Sequence, residues 1–210
     1  MKITLVNASP KQKGSASAVF LTILKKYLGC EAAEFIWNKK RAKEKEIQEM
    51  IESDAIIFAF PLYIDSVPSH LLWCMVQVEE YAKEHSIEKK PMLYVILNNG
   101  FFQGKQNASA IEVMQHWAKH CGFLFGQAAG IGGGGMISFI QSIPDGHGPK
   151  KNICMVLQKM SENILEGKSG ETLITEPNYP AWAYKMQAEY GWRLQARKNG
   201  LKARDLNKQW

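Results

Sequence analysis

Apolar runs and amphipathic stretches alternate through most of the chain. Lys2 to Val6, Asp54 to Phe60 and Pro91 to Leu97 are continuous apolar runs, the pattern of strands buried on both faces. Glu31 to Trp37 and Phe123 to Ala129 are two further strand candidates. Between them, Ser15 to Leu28, Lys43 to Ser53, Pro68 to His85, Ser109 to Cys121 and Lys150 to Leu165 carry helical spacing. In the second of these, Ile47, Met50 and Ile51 share one face. In the third, Leu71, Met75, Val78 and Ala82 form the apolar side, and Glu79, Glu80, Lys83 and Glu84 mark the polar one. Five strand–helix alternations predict an α/β fold: an open five-stranded parallel sheet with helices on both faces.

Glu166 to Pro180 is polar and rich in turn formers, so a boundary is placed at 167. Residues 1–167 form the α/β domain, and 168–210 a C-terminal helical extension. There, Trp182, Met186, Tyr190 and Leu194 fall on one helical face, read as packing against the body or against a second subunit.

Composition changes this picture little. The chain has 210 residues, 46% hydrophobic and 22% charged, which suits one globular α/β domain and neither a disordered nor a membrane class. The longest apolar run, Ala55 to Ile64, contains Pro61 and is too short to span a bilayer. The opening MKITLVNASPK has only a brief apolar segment, so no secretory signal is expected and the location is read as cytoplasmic. Cys30, Cys74, Cys121 and Cys154 are scattered without a CxxC pair, as buried free thiols would be.

Charge is more informative. The net charge is +6, and from Ala181 to Trp210 seven basic residues face two acids, which leaves +5 in the tail. The body is close to neutral, so a uniformly basic nucleic-acid surface is not indicated.

In an open parallel sheet, ligands bind beyond the carboxyl ends of the strands. The first such loop, NASPKQKGSAS (7–17), contains three serines, two lysines and a glycine but no acid. Gly14 lets the backbone approach a ligand, and Ser15 and Ser17 stand where a helix opens and its free N–H groups favour an anion. Taken alone, the loop reads equally as a phosphate cradle or as a solvated loop with a serine N-cap. The loop after the third strand, Pro61 to Pro68, carries Tyr63 between two prolines, and the loop after the fourth is Asn98-Asn99-Gly100-Phe101-Phe102-Gln103-Gly104. Three such loops at one sheet edge point to a flat polar ligand that carries a phosphate. The ATP-type P-loop is absent. The GxGxxG match at Gly130 to Gly135 comes from a run of four glycines with no clear helix after it, and reads as a flexible loop near the site. His116 and His120 are four apart on a helix, with no third ligand evident, so no metal is assigned. His70 reads as a capping or surface residue near the site.

Across about residues 1–135 the chain resembles the flavodoxin-like NAD(P)H-dependent FMN reductases and related flavin oxidoreductases. NASPKQKGSAS is close to that family's N-G-S-P-R-x-x-G-N-[ST], and FPLYIDSVPSHL to its P-x-Y-x-x-x-x-P. Ala8 stands where the family often has glycine, and Ala16 where a polar residue is common. The resemblance implies that Ser9, Lys11, Gly14, Ser15, Ala16 and Ser17 surround the FMN phosphate. It places Pro61, Leu62, Tyr63 and Ile64 along the isoalloxazine ring, with Asn98, Asn99, Gly100, Phe101 and Phe102 on its other side. It also implies NADH or NADPH as hydride donor, a small-molecule electron acceptor such as a quinone or free flavin, and a homo-oligomer. A compact cysteine motif, which the iron–sulfur branch uses, is absent, and the chain lacks the acidity of electron-transfer flavodoxins. Tyr63 and Phe101 are the expected ring-packing residues. Backbone N–H groups near Tyr63 and in Asn99 to Phe102 are the expected donors to the ring edge. Met136 to Lys150 has the composition of a mobile lid over the flavin and reads equally as an ordinary surface loop. Two rival readings are a non-catalytic FMN electron carrier and a flavin-free binding domain with a basic tail.

Overall fold

The computed structural model describes residues 1–11, 13–85, 89–202 and 205. Two compact units divide the chain, 1–178 and 179–210. The first contains six parallel strands: β1 (Ile3–Asn7), β2 (Ala33–Ile36), β3 (Ala55–Pro61), β4 (Met92–Asn98), β5 (Leu124–Ile131) and β6 (Leu173–Thr175). Their order is β2-β1-β3-β4-β5-β6. The chain therefore reverses its winding direction after β2, and β1 and β3 flank the switch point.

Five helices cover this sheet: α1 (Ala16–Leu28), α2 (Glu44–Ile51), α3 (Ser69–Glu84), α4 (Ala108–His120) and α5 (Lys151–Leu165). Alternate residues of the buried strands serve opposite layers. Val6, Phe58, Val95 and Leu97 join α2, α3 and α4 in one core, where Phe58 meets Trp37 and Trp117 edge-on at 5.5 and 5.7 Å. On the opposite layer α1 packs with α5. Each long helix except α2 is bounded by a recognisable stop or start. Ser15 caps α1 by accepting from the Ala18 amide, and Gly29 ends it in the left-handed conformation; Pro68 precedes α3.

Six strands form where five were expected. Leu173–Thr175 extends the parallel sheet beyond β5, and the Gly132 amide also donates to the Thr175 carbonyl. A three-residue strand in a polar segment has no periodicity to read; its pairing comes from the edge that β5 leaves open. The expected boundary at 167 consequently lies before β6, whereas the compact unit runs to Asn178. The second unit holds α6 (Ala181–Lys198), on which Trp182, Met186, Tyr190 and Leu194 are exposed. Cys74, Cys121 and Cys154 are buried free thiols as expected, but Cys30, just past the end of α1, is exposed. Among the described residues no helix is long and apolar enough to cross a membrane.

Candidate functional site

β1, β3 and β4 end side by side, with Pro61 in register with Asn98 and Ala59 with Asn7. The three loops that leave them enclose a cleft of ≈ 270 Å³. From the first loop Ser9, Lys11, Gly14, Ser15, Ala16 and Ser17 line it. The second contributes Pro61, Leu62 and Tyr63, and the third Asn98, Asn99 and Gly100. Ile64, Phe101 and Phe102 are not among the residues that line it.

The first loop leaves backbone donors open at the start of α1. Gly14 adopts φ +63, and a Cβ there would meet no atom within 4 Å, so the space above it is open. The amides of Gly14, Ser15, Ala16 and Ser17 donate to no acceptor among the described residues. They stand at the start of α1, where the helix itself cannot satisfy them and its dipole is positive. Lys11 reaches back to the Gly14 carbonyl at 3.1 Å and is the only charged residue lining the cleft among the described residues. Buried Asn98 fixes the cradle to the sheet: its side-chain amide donates to Ser17 Oγ and to the Phe60 carbonyl, both at 3.2 Å. A ring nitrogen of His70, at the start of α3, lies 3.2 Å from the Ala8 carbonyl. The histidine braces the floor of the loop, a role between the expected cap and surface residue.

Tyr63 sits at the cleft rim, 54% exposed. Its amide and carbonyl pair with those of Ser66 at 3.0 and 3.2 Å, closing a two-residue turn over Ile64 and Asp65. Both turn residues have positive φ, 50 and 55. For β-branched Ile64 this is a strained conformation of the kind that clusters at ligand sites. Ile64 is fully exposed at the turn tip, which explains why it lines nothing.

Three of the expected backbone donors to a ring edge are engaged elsewhere. The Leu62 amide donates to the Asn98 carbonyl at 2.7 Å, Tyr63 to Ser66 and Asn99 to the Ile131 carbonyl. These bonds shape the cleft walls.

The glycine run after β5 is packed, which corrects the expectation of a flexible loop. Gly133 donates to the Phe101 carbonyl at 2.6 Å and Gly134 to the Asn99 carbonyl at 2.7 Å. A Cβ on Gly132 would stand 1.9 Å from the Phe102 carbonyl oxygen, and one on Gly134 2.6 Å from Asn98 Oδ1. The backbone of 98–102 thus lies directly on the glycines, and this contact sets where Asn98, Asn99 and Gly100 stand. Phe101 and Phe102 take part through their carbonyls, and the Phe101 ring is 59% exposed. Gly134, Gly135 and Ser138 also line the cleft, residues that motif reading left out. The four-glycine run was their signal, since glycine is needed where two backbones touch.

The expected lid is anchored. Ile137 and Ile140 are buried, and buried Lys150 donates to the Gln141 carbonyl at 3.1 Å and pairs with Asp145 at 3.2 Å. Asp145 also pairs with Lys26 at 2.6 Å. Hydrogen bonding from Lys26, with a smaller contribution from Lys150, holds the Asp145 carboxyl below the usual carboxylate range despite partial burial. His120 lies 3.7 Å from Glu79, an ion-pair arrangement when the imidazole is protonated.

No protein-family model matches the chain, and no curated protein matches it by sequence. Solved structures do match. An NADPH-quinone reductase from P. pentosaceus aligns with TM-score 0.56 at 17% identity over 77% of this chain and 98% of its own. An NADH:FMN oxidoreductase in its apo form gives TM-score 0.54 at 14% identity over 81% and 91%. A general stress protein from Treponema denticola, solved in complex with FMN, gives 0.52 at 10% identity over 79% and 97%. Strand order, the cleft at the β1/β3 switch point and these alignments agree: the chain has the flavodoxin-like fold.

Proposed function

We propose that the chain is an FMN-dependent oxidoreductase that takes hydride from NADH or NADPH and passes electrons to a small acceptor. One observation carries the reading. Unsatisfied helix-start amides, an open left-handed glycine and a lone lysine converge in a cleft bordered by Tyr63. That set fits a phosphate monoester joined to a flat ring, and among the described residues no carboxylate lines the cleft to repel it. Bound there, the flavin supplies the redox chemistry.

The chain's residues bind and orient. The amides of Ser15 to Ser17 and the Lys11 ammonium hold the phosphate, and Asn98 keeps Ser17 in place through its 3.2 Å bond. Pro61, Leu62 and Tyr63 form one wall for the ring, and Asn99, Gly100 and Gly134 the other. Buried Asn99 Oδ1 has no partner among the described residues, and an acceptor so placed favours a ligand edge rich in N–H donors once the side chain turns toward it. Half-exposed Tyr63 at the rim leaves the mouth of the cleft open to a second, flat reactant.

The test is the visible spectrum of the flavin-stripped protein, first with FMN and then with NADH or NADPH under anaerobic conditions. A perturbed flavin band that bleaches with NAD(P)H and returns with an added quinone is expected. A protein that binds FMN but is never reduced by either nicotinamide is an electron carrier, and one that never perturbs the flavin band refutes the flavin reading.

A further inference from the structure

α6 belongs to the second compact unit, with 18 residues and a length of about 27 Å. Its large rings are uncovered: Trp182, Tyr190 and Trp192 are 67, 65 and 63% exposed, whereas Ala196 is buried. Residues three, four or seven apart share a helix face. By that spacing Arg193 stands beside Tyr190, Arg197 beside Arg193, and Lys185 beside both Trp182 and Trp192. At 100° per residue these three rings and three cations fall within less than half of the helix's circumference, interleaved rather than sorted to opposite sides. Lys185 and Arg197 pair with no acid among the described residues. Arg193 meets Glu189 at 3.5 Å in an exposed pair, which holds it only weakly.

We propose that this face of α6 binds single-stranded nucleic acid, its rings stacking on bases and its cations meeting the phosphates between them. A single strand presents flat bases and charged phosphates in alternation, so a surface that holds it alternates too. Trp182 and Tyr190 are about 12 Å apart along the axis, room for more than one base. The charge is complementary and local: the segment from Ala181 onward holds +5 of the chain's +6. Other occupants fit this face worse. A helix that lies in a bilayer surface separates its apolar side from its charged side, and here Arg193 and Arg197 stand within the aromatic stripe. Symmetric pairing with a second copy sets the same patch on both sides, and so cation against cation. A duplex keeps its bases stacked on one another, which leaves the rings of α6 without partners. The face lies within the second unit and shares no residue with the flavin cleft of the first, so the proposal stands apart from the flavin reading.

The test titrates the full chain into fluorescein-labelled oligo(U) and oligo(dT) strands and a duplex of equal length, read by fluorescence anisotropy at low salt. A single strand is expected to bind at least fivefold more tightly than the duplex. Its affinity should fall with salt at a log–log slope of about −2 to −3, as three or four neutralised phosphates give. Trp182→Ala and Tyr190→Ala are each expected to weaken it at least fivefold through lost stacking. The double variant Arg193→Glu, Arg197→Glu should weaken it at least tenfold and flatten the salt slope. Melting curves show that each variant folds, and FMN affinity within twofold of the unaltered chain shows that the first unit is untouched. No anisotropy change at low salt overturns the proposal. So does affinity equal for strand and duplex and indifferent to both ring substitutions, which is charge attraction alone. Binding confined to phosphatidylserine vesicles, or a doubled solution mass that the ring substitutions abolish, assigns the face to a membrane or to a second copy and overturns it as well.

Discussion

Replacing Gly14 with aspartate sets a carboxylate at the centre of the anion cradle. The backbone there is left-handed, φ +63, and the space beyond the Cα is empty. Aspartate and asparagine both visit this conformation, at a cost of about 1 kcal/mol, so either variant should fold. They differ in charge alone. The amides that would hold the phosphate belong to Ser15, Ala16 and Ser17, one to three residues past position 14, so carboxylate and phosphate would stand about 4 Å apart. One pair of like charges at that distance costs about 4 kcal/mol near a protein surface and about 1 in bulk water. Gly14 is exposed, which pulls the figure toward the lower end, whereas the phosphate's second charge pulls it up. A penalty of about 2–4 kcal/mol results, a roughly 30- to 700-fold rise in Kd. Gly14→Asn should lose less than about tenfold, since only fit and strain change. FMN titration of both variants, with melting curves as the fold control, measures this. Equal affinities for the two would refute the cradle, because charge would then make no difference at its centre.

Three further outcomes follow from the same geometry. Gly132→Ala drives a methyl into the Phe102 carbonyl, 1.9 Å away, so it should cost about 1–3 kcal/mol and weaken flavin binding together with stability; melting and titration of the variant check both. Ile64→Asn relieves a β-branched residue at φ 50 on a fully exposed turn and should stabilise the fold by about 1 kcal/mol, read from chemical denaturation. Asp145→Asn removes a carboxylate that is ionised more readily in the folded state than in the unfolded one. Its contribution is therefore present above the unfolded carboxylate pKa, about 3.9, and is lost as pH falls through the lower folded value. The variant should be less stable by about 2 kcal/mol at neutral pH, since buried Lys150 loses its counter-charge, and the gap to the unaltered protein should close toward pH 3 in melts across pH.

The chain's own pattern determined the layers. Unbroken apolar runs at β1, β3 and β4 and helical faces between them leave a doubly wound sheet as the economical arrangement, because each run needs cover on both sides. It also marked the first loop as a candidate anion site, since a serine- and lysine-rich loop without acids between an apolar strand and a helix is local chemistry. Tertiary structure alone decided three matters. Leu173–Thr175 became a strand because β5 offered an edge, a fact outside its own sequence. The glycine run became a packing surface because the 98–102 backbone came down on it, and the residues that touch are thirty or more positions apart. Ile64 left the expected wall because the Tyr63–Ser66 pairing turned it outward to solvent. Periodicity and motifs report on neighbours along the chain, whereas a cleft is made by segments that meet only after the sheet has formed.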